Sequence, residues 1–260
     1  MKQLVIFDLD GTLAQSKSSM TPEMAGLLKS LMALTRVSVI SGGSWAQFEA
    51  QLLTALDPDC DFANLTLLPT CGTQFFDYDG SWHQVYAENL SPAQGAQITS
   101  ALAKALDESG LAPARTWGEV IEDRGTQITM SVLGQEAPLS AKHDWDPDFA
   151  KRTKVVELVK PMLPAFAVNM GGTTSIDVTR PGIDKAYGVA KLREHLGVER
   201  AEMLFVGDAI FPGGNDFAVQ HAGVDAILVR DPDETARVVQ TIIACLGDAK
   251  VQMVSPRGAS

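Results

Sequence analysis

Residues 4–13 read LVIFDLDGTL, and the way that stretch is punctuated decides the fold. Leu4 to Phe7 form an unbroken apolar run of strand length, the pattern of a parallel strand buried on both faces. The run stops at Asp8, and Asp10 follows two positions later. In extended backbone, residues i and i+2 project to the same side. Two carboxylates therefore leave the carboxyl end of a buried strand together, at the edge where open α/β sheets place their chemistry. Gly11 permits a sharp turn and a close approach to a ligand. An ordinary Asp-Gly turn accounts for Asp10 and Gly11, but not for Asp8, Thr12 or Leu13. Neighbouring carboxylates repel unless a cation or a shared proton relieves them.

Outward from this strand, the chain alternates strand and helix. Pro22 suits the first turn of a helix whose buried face is Leu27, Leu28, Leu31 and Leu34. Val37 to Ile40 is the next strand, ending at Ser41-Gly42-Gly43. A helix with Phe48, Leu52, Leu53 and Leu56 follows, then a strand over 65–68. The runs 74–78 and 82–86 flank Asp79-Gly80, a hairpin signal. From Ser91-Pro92, an N-cap and first helical residue, the pattern changes. Ile98, Leu102 and Leu106 share a helical face. Strands are expected over 120–122 and 127–132, joined through Arg124-Gly125, and Asp146-Pro147 is expected to open a helix ending near Pro161. Two further strands are expected over 166–169 and 175–178. Alternation resumes after Pro181: a helix over 185–195, strands over 203–206 and 226–229, a helix to about Leu246, and a loose tail over 251–260. The first and last thirds share one pattern and the middle third does not. The expected architecture is α/β: a doubly wound, Rossmann-like parallel-sheet core over 1–87 and 181–260, with an inserted α+β cap over 88–180.

Composition narrows the function. The 260 residues are 45% hydrophobic, enough for a full core, and the formal net charge is −11. Such an acidic chain lacks the basic footprint that nucleic acid requires. A phosphorylated small molecule needs only a metal and a few local cations. Three scattered cysteines, Cys60, Cys71 and Cys245, form no CxxC pair and suit a reduced, cytoplasmic protein. The chain opens on a core strand with no signal peptide before it, and no apolar stretch approaches membrane-spanning length.

Four more features fall at strand or helix ends. Ser41, in VISGG, has a hydroxyl that, with the amide of Gly42, suits a phosphate oxygen; it is equally an ordinary Ser-Gly turn. Lys185 opens a helix, where a cation opposes the dipole unless an anion binds there; the alternative is a solvated lysine offset by Asp184. Asp208 closes the strand MLFVGD and adds a carboxylate to the same edge as Asp8, a hard oxygen ligand suited to Mg²⁺. Asp216, in PGGND, either joins that group or caps a helix with Asn215.

DxDGT, Ser41, Lys185 and the Asp208/Asp216 pair resemble, in order and placement, the four motifs of the haloacid-dehalogenase-like (HAD) phosphohydrolase superfamily. The resemblance implies that Asp8 is a nucleophile that becomes phosphorylated, that Asp10 is the general acid/base, and that Lys185 and Ser41 contact the phosphoryl oxygens. It also implies Mg²⁺ as cofactor, held by Asp8, the Asp10 carbonyl and Asp208, with Asp216 beside them. An insert of αββ-αββ type is similar to the type IIB cap. Residues 171–189 and 205–219, above all PGGND, look like the eukaryotic-type phosphomannomutases. That likeness implies a sugar phosphate gripped by Arg124, Ser175 and Asp177. Two of the family's arginines match Gln135 and Lys17 here, and neither side chain reproduces the bidentate grip of a guanidinium. The expected function is therefore a Mg²⁺-dependent phosphotransferase on sugar phosphates, most simply a sugar-phosphate phosphatase. The alternatives are a phosphomannomutase and a silent sugar-phosphate-binding protein. The expected partner is a small phosphorylated sugar, with no nucleic acid and no membrane, and a homodimer through the cap is compatible.

Overall fold

The computed structural model describes residues 1–254. The chain runs β1 (Leu4–Phe7), α1 (Pro22–Met32), β2 (Arg36–Ile40), α2 (Trp45–Gln51), β3 (Leu65–Leu68), β4 (Gln74–Tyr78) and β5 (Trp82–Ala87). It continues through α3 (Pro92–Ser109), β6 (Ile121–Asp123), β7 (Ile128–Ser131), α4 (Leu139–Trp145), α5 (Ala150–Val159), β8 (Ala167–Gly171) and β9 (Ser175–Thr179). It closes with α6 (Lys185–Leu196), β10 (Met203–Gly207), α7 (Phe217–His221), β11 (Asp225–Leu228) and α8 (Pro232–Val254). Two compact units result: Met1–Val85 with the chain from Gly188 onward, and Tyr86–Tyr187. The boundary falls inside α6, one turn past its start.

The first unit is a seven-stranded sheet in the order β11-β10-β1-β2-β3-β4-β5. From β11 to β3 the pairs are parallel, and β4 turns back antiparallel to β3. β1 lies between β10 and β2, with Phe7 in register with both Val206 and Val39. On one face Val5, Phe7, Val37, Val39, Leu65 and Leu67 pack with Met24, Leu28 and Leu31 of α1, Phe48 of α2 and Val239 of α8. On the other face, Gly188 of α6 approaches Ile40 so closely that a Cβ would overlap its Cδ1 and the Cys71 carbonyl. Helices on both faces explain why β1 is apolar at every position. The helix α1 begins as its sequence suggests, with Thr21 accepting from the Met24 amide and Pro22 in the first turn. Its buried face is Met24, Ala25, Leu28, Leu31 and Met32, with Leu27 and Leu34 only half-buried. The three cysteines are not joined by disulfides, and burial pushes the Cys60 thiol pKa up.

The second unit is a four-stranded antiparallel sheet in the order β6-β7-β9-β8. One face carries Ile128, Met130, Ile176 and Val178, packed with Ile98, Leu102 and Leu106 of α3 and Val155, Val156 and Val159 of α5. The alternate positions are polar: Thr129 pairs with Asp177 and Ser131 with Ser175. α3 opens on a capping box between Ser91 and Gln94 and ends at Gly110, φ +67°.

The order here is αββααββ, one helix more than expected. α4 was missed because LSAKHDW is under two turns long and carries no apolar stripe. Asp146-Pro147 does not open a helix either; α5 starts at Ala150. Asp146 instead accepts from the Lys151 and Arg152 amides and from Arg152 Nε, the last at 2.7 Å. Arg152 is 1% exposed, and its Nη1 donates to the carbonyls of Gly171 and Gly172 at 2.5 and 2.6 Å. The pair thereby ties α5 to the β8–β9 turn. The tail expected from Val251 is helical to Val254; residues 255–260 lie outside those described. Among the described residues no helix is long and apolar enough to cross a membrane.

Asp146→Ala should leave Arg152 buried and uncompensated, lowering stability by about 3–5 kcal/mol. The double change Asp146→Leu with Arg152→Met should recover much of that loss. Urea unfolding of the three proteins checks both expectations.

Candidate active site

Strand register brings the acidic groups together. β1 and β10 are parallel and end level, so Asp8 and Asp208 leave the sheet side by side. Asp216 returns to them through the 209–216 loop, which Gly214 closes tightly: a Cβ there would overlap the Ala209 carbonyl. One carboxylate oxygen each of Asp8, Asp208 and Asp216 lies within 4.8 Å of the others. Asp216 is fully buried and accepts from the Ala209 amide at 3.0 Å. It occupies the N-cap position of α7, yet its side chain makes no capping bond, so the capping alternative is replaced by this edge position. Gly11 has φ +85°, and a Cβ on it would overlap Asp208 Oδ2. The Asp-Gly pair thus serves both the turn and the approach of Asp208. Thr12 Oγ1 makes a long contact of 3.5 Å to Asp208 Oδ1. Three clustered, hard, anionic oxygens are the donor set that fits Mg²⁺.

The carboxylate of Asp10 is not in that cluster. Its Oδ1 accepts from the Lys17 amide at 2.7 Å and from Gln51 Nε2 at 3.2 Å. Its Oδ2 accepts from Gln47 Nε2 at 3.1 Å. Gln47 and Gln51 sit at i, i+4 on α2 and so share a face. Gln51 also donates from Nε2 to the Ser18 carbonyl at 3.1 Å. Both partners of that nitrogen are acceptors, which fixes the amide's orientation. Lys17 has φ +54°, so its backbone N–H, together with the two amides, holds Asp10. Neither glutamine was foreseen, because polar residues on a short helix read as its solvated face.

Ser41 follows β2 directly and is buried. Its Oγ accepts from the Gly43 amide at 3.1 Å, so the Ser-Gly turn and a place at the strand end coexist, with Gly42 between them. Lys185 is the first residue of α6 and only 1% exposed. It is therefore not the solvated lysine of the alternative reading, since a buried ammonium must be compensated. Asp184 instead accepts from the Tyr187 amide at 3.0 Å, capping the helix.

In the second unit, Arg124 follows β6 in a turn where Gly125 has φ +79°. Arg124 Nε and Nη2 both donate to Glu122 Oε2, at 2.9 and 2.6 Å. Ser175 and Asp177 share a face of β9, and Asp177 Oδ1 accepts from Thr129 Oγ1 at 2.7 Å. The Thr129 hydroxyl accepts in turn from Gln127 Nε2 at 2.8 Å. Lys142, on α4, is buried and donates from Nζ to the Gln135 carbonyl at 3.1 Å. A cation therefore stands beside Gln135 although none is on it. It escaped the sequence reading together with its helix.

A family model described as eukaryotic phosphomannomutase matches residues 83–245, well over half of the chain. The chain belongs to the eukaryotic phosphomannomutase family. It is 27% identical to a phosphomannomutase of Encephalitozoon cuniculi over 95% of both chains. It is 25% identical to a phosphomannomutase of Spinacia oleracea over 83% of this chain and 85% of that one. In fold it is similar to a haloacid dehalogenase-like hydrolase from Bacteroides thetaiotaomicron, with TM-score 0.64 and 18% identity over 93% of this chain and all of that one. It also resembles the IMP-bound IMP-nucleotidase of Plasmodium falciparum, with TM-score 0.69 and 17% identity over 94% of this chain and 68% of that one. The protein is an enzyme of the phosphatase or mutase kind with a fold like that of haloacid dehalogenase-like hydrolases.

Chelation should abolish turnover of p-nitrophenyl phosphate, and added Mg²⁺ should restore it. Asp208→Ala should raise the Mg²⁺ concentration giving half-maximal rate, by deleting one charged ligand. Asp8→Asn should be inactive at any Mg²⁺ concentration while its circular dichroism and melting stay native-like. Full activity of a metal-free preparation, or of Asp8→Asn, would remove these residues from their roles.

Proposed function

We propose that the protein is a Mg²⁺-dependent phosphotransferase of sugar phosphates that works as a phosphomannomutase, interconverting mannose 6-phosphate and mannose 1-phosphate. The observation that carries this reading is that the family likeness runs through 83–245. It includes the whole second unit and is not confined to the core motifs. Asp8 attacks phosphorus and becomes an aspartyl phosphate. Asp10 gives a proton to the leaving sugar oxygen and then takes one from the acceptor hydroxyl. Lys185, Ser41 and the Gly42 amide hold the phosphoryl oxygens. Mg²⁺, when bound by Asp8, Asp208, Asp216 and the Asp10 carbonyl, offsets the charge on those oxygens. Arg124, Gln135, Ser175, Asp177 and Lys17 bind the rest of the sugar phosphate.

A mutase must keep a bisphosphate while it reorients, and Gln135 in place of a guanidinium argues for losing it to water. Lys142 donates to the backbone carbonyl of Gln135, which brings a cation near that position, and this supports keeping the mutase reading. The phosphatase remains the second reading, favoured by Gln135 and Lys17. A silent binding protein is disfavoured because the nucleophile and acid/base positions are both filled. Residence in the cytoplasm and a homodimer through the second unit belong to the same proposal. The absence of disulfide pairing supports the first.

Phosphorus NMR of mannose 1-phosphate incubated with and without a hexose 1,6-bisphosphate decides between the two activities. Mannose 6-phosphate forming in excess over free phosphate, and only with the bisphosphate, is the expected result. Free phosphate as the sole product under both conditions would assign a phosphatase. Arg124→Ala should raise KM for the sugar phosphate by roughly ten- to a hundredfold and leave p-nitrophenyl phosphate turnover unchanged. Lys142→Met should increase the fraction of free phosphate among the products.

A further inference from the structure

We propose that Gln51 and Gln47 are positioning residues that fix the orientation of the Asp10 carboxylate for its proton transfers. The inference rests on the reading of Asp10 as general acid/base. A carboxylate oxygen has two in-plane lone pairs. Oδ1 of Asp10 already accepts two N–H groups, from the Lys17 backbone at 2.7 Å and from Gln51 at 3.2 Å. Both of its lone pairs are engaged, and a proton placed there would displace a hydrogen bond. Oδ2 accepts only from Gln47, at 3.1 Å, and keeps one lone pair. Oδ2 is therefore the oxygen with room for the proton that the reaction moves. As the bond from phosphorus to the leaving oxygen breaks, its electron pair stays on that oxygen, which takes the proton from Oδ2 while Asp8 bonds to phosphorus. In the second half-reaction, the acceptor hydroxyl returns a proton to Oδ2 as its oxygen bonds to phosphorus and the Asp8–phosphorus bond breaks.

The donors to Oδ1 are built rigidly. Gln51 is 3% exposed, its backbone carbonyl accepts from the Met20 amide at 2.8 Å, and its side-chain Nε2 donates to the Ser18 carbonyl. Lys17 contributes through backbone in a left-handed conformation, which no side-chain substitution at that position removes. Gln47 lies one helical turn earlier and is half-buried. Of the three donors it alone meets the proton-bearing oxygen, so it steadies the carboxylate plane from the opposite side.

Leaving-group dependence tests this, because a sugar alkoxide must be protonated as it leaves and p-nitrophenolate need not be. Gln51→Met conserves side-chain volume and deletes one donor to Oδ1, so the carboxylate loses one of the bonds that fix its orientation. Its kcat on a sugar phosphate should fall roughly ten- to a hundredfold at unchanged KM, while kcat on p-nitrophenyl phosphate stays within about threefold. Gln47→Met should show the same selectivity with a smaller loss. Being half-buried, it keeps the test open if Gln51→Met does not fold. Equal losses on both substrates, or no loss on either, for a folded variant would overturn the proposal. Asp10→Ala, measured in parallel, separates the two levels. If it is selective and neither glutamine variant is, the positioning role fails alone. If it slows both substrates equally, the general-acid reading of Asp10 fails and the proposal with it.

Discussion

Mutual repulsion among the carboxylates of Asp8, Asp208 and Asp216 is the constraint around which the first unit is organised. Three anionic groups within 4.8 Å, two of them buried, repel strongly where water is scarce. Left to itself such a cluster would spread or take up protons. It is held by the strands behind it. β1 and β10 are paired residue for residue in the middle of a sheet, and neither can shift without breaking both ladders. Glycine at 11 then gives the Asp208 carboxylate room to approach, and glycine at 207 does the same for Asp216. The core thus holds together an arrangement whose oxygens suit a cation.

The same economy separates the tasks of the two N-terminal aspartates. Two residues apart on one strand end, they are chemically identical. Asp8 belongs to the acidic cluster, whereas the carboxylate of Asp10 is enclosed by three N–H donors from the 15–18 turn and α2. Hydrogen bonding, more than sequence position, therefore sets their surroundings apart: one carboxylate adjoins two others, and the other is held by N–H donors. The turn and the helix are themselves tied by the bonds that Gln51 makes to the Ser18 carbonyl and the Met20 amide.

The second unit solves a different problem. Its sheet is apolar toward α3 and α5, and hydroxyls, amides and carboxylates alternate with those apolar positions on β7 and β9. Buried polar groups of this kind require partners, and here they supply one another, from Gln127 through Thr129 to Asp177. Arg152 does the corresponding work at the β8–β9 turn, where one guanidinium binds Asp146 and two successive carbonyls. The family likeness includes this unit.

By itself, the sequence determined the layered α/β class, the strand ends at Asp8, Ser41 and Asp208, and the interruption of the alternating pattern by a different unit. These are properties of short segments: an apolar run ended by a carboxylate, a capping Ser-Pro, an Asp-Gly turn. Their periodicity survives whatever packs around them. Only the tertiary structure decided that Gln47 and Gln51 face Asp10, that Asp216 turns to the sheet edge instead of capping its helix, that Asp146 binds Arg152, and that Lys142 adjoins Gln135. Each of these depends on where a polar side chain is enclosed. A glutamine on a solvated face and one holding a carboxylate have the same spacing in the chain. The difference is set by which acceptor from a distant segment reaches that face, and local sequence does not encode that distance.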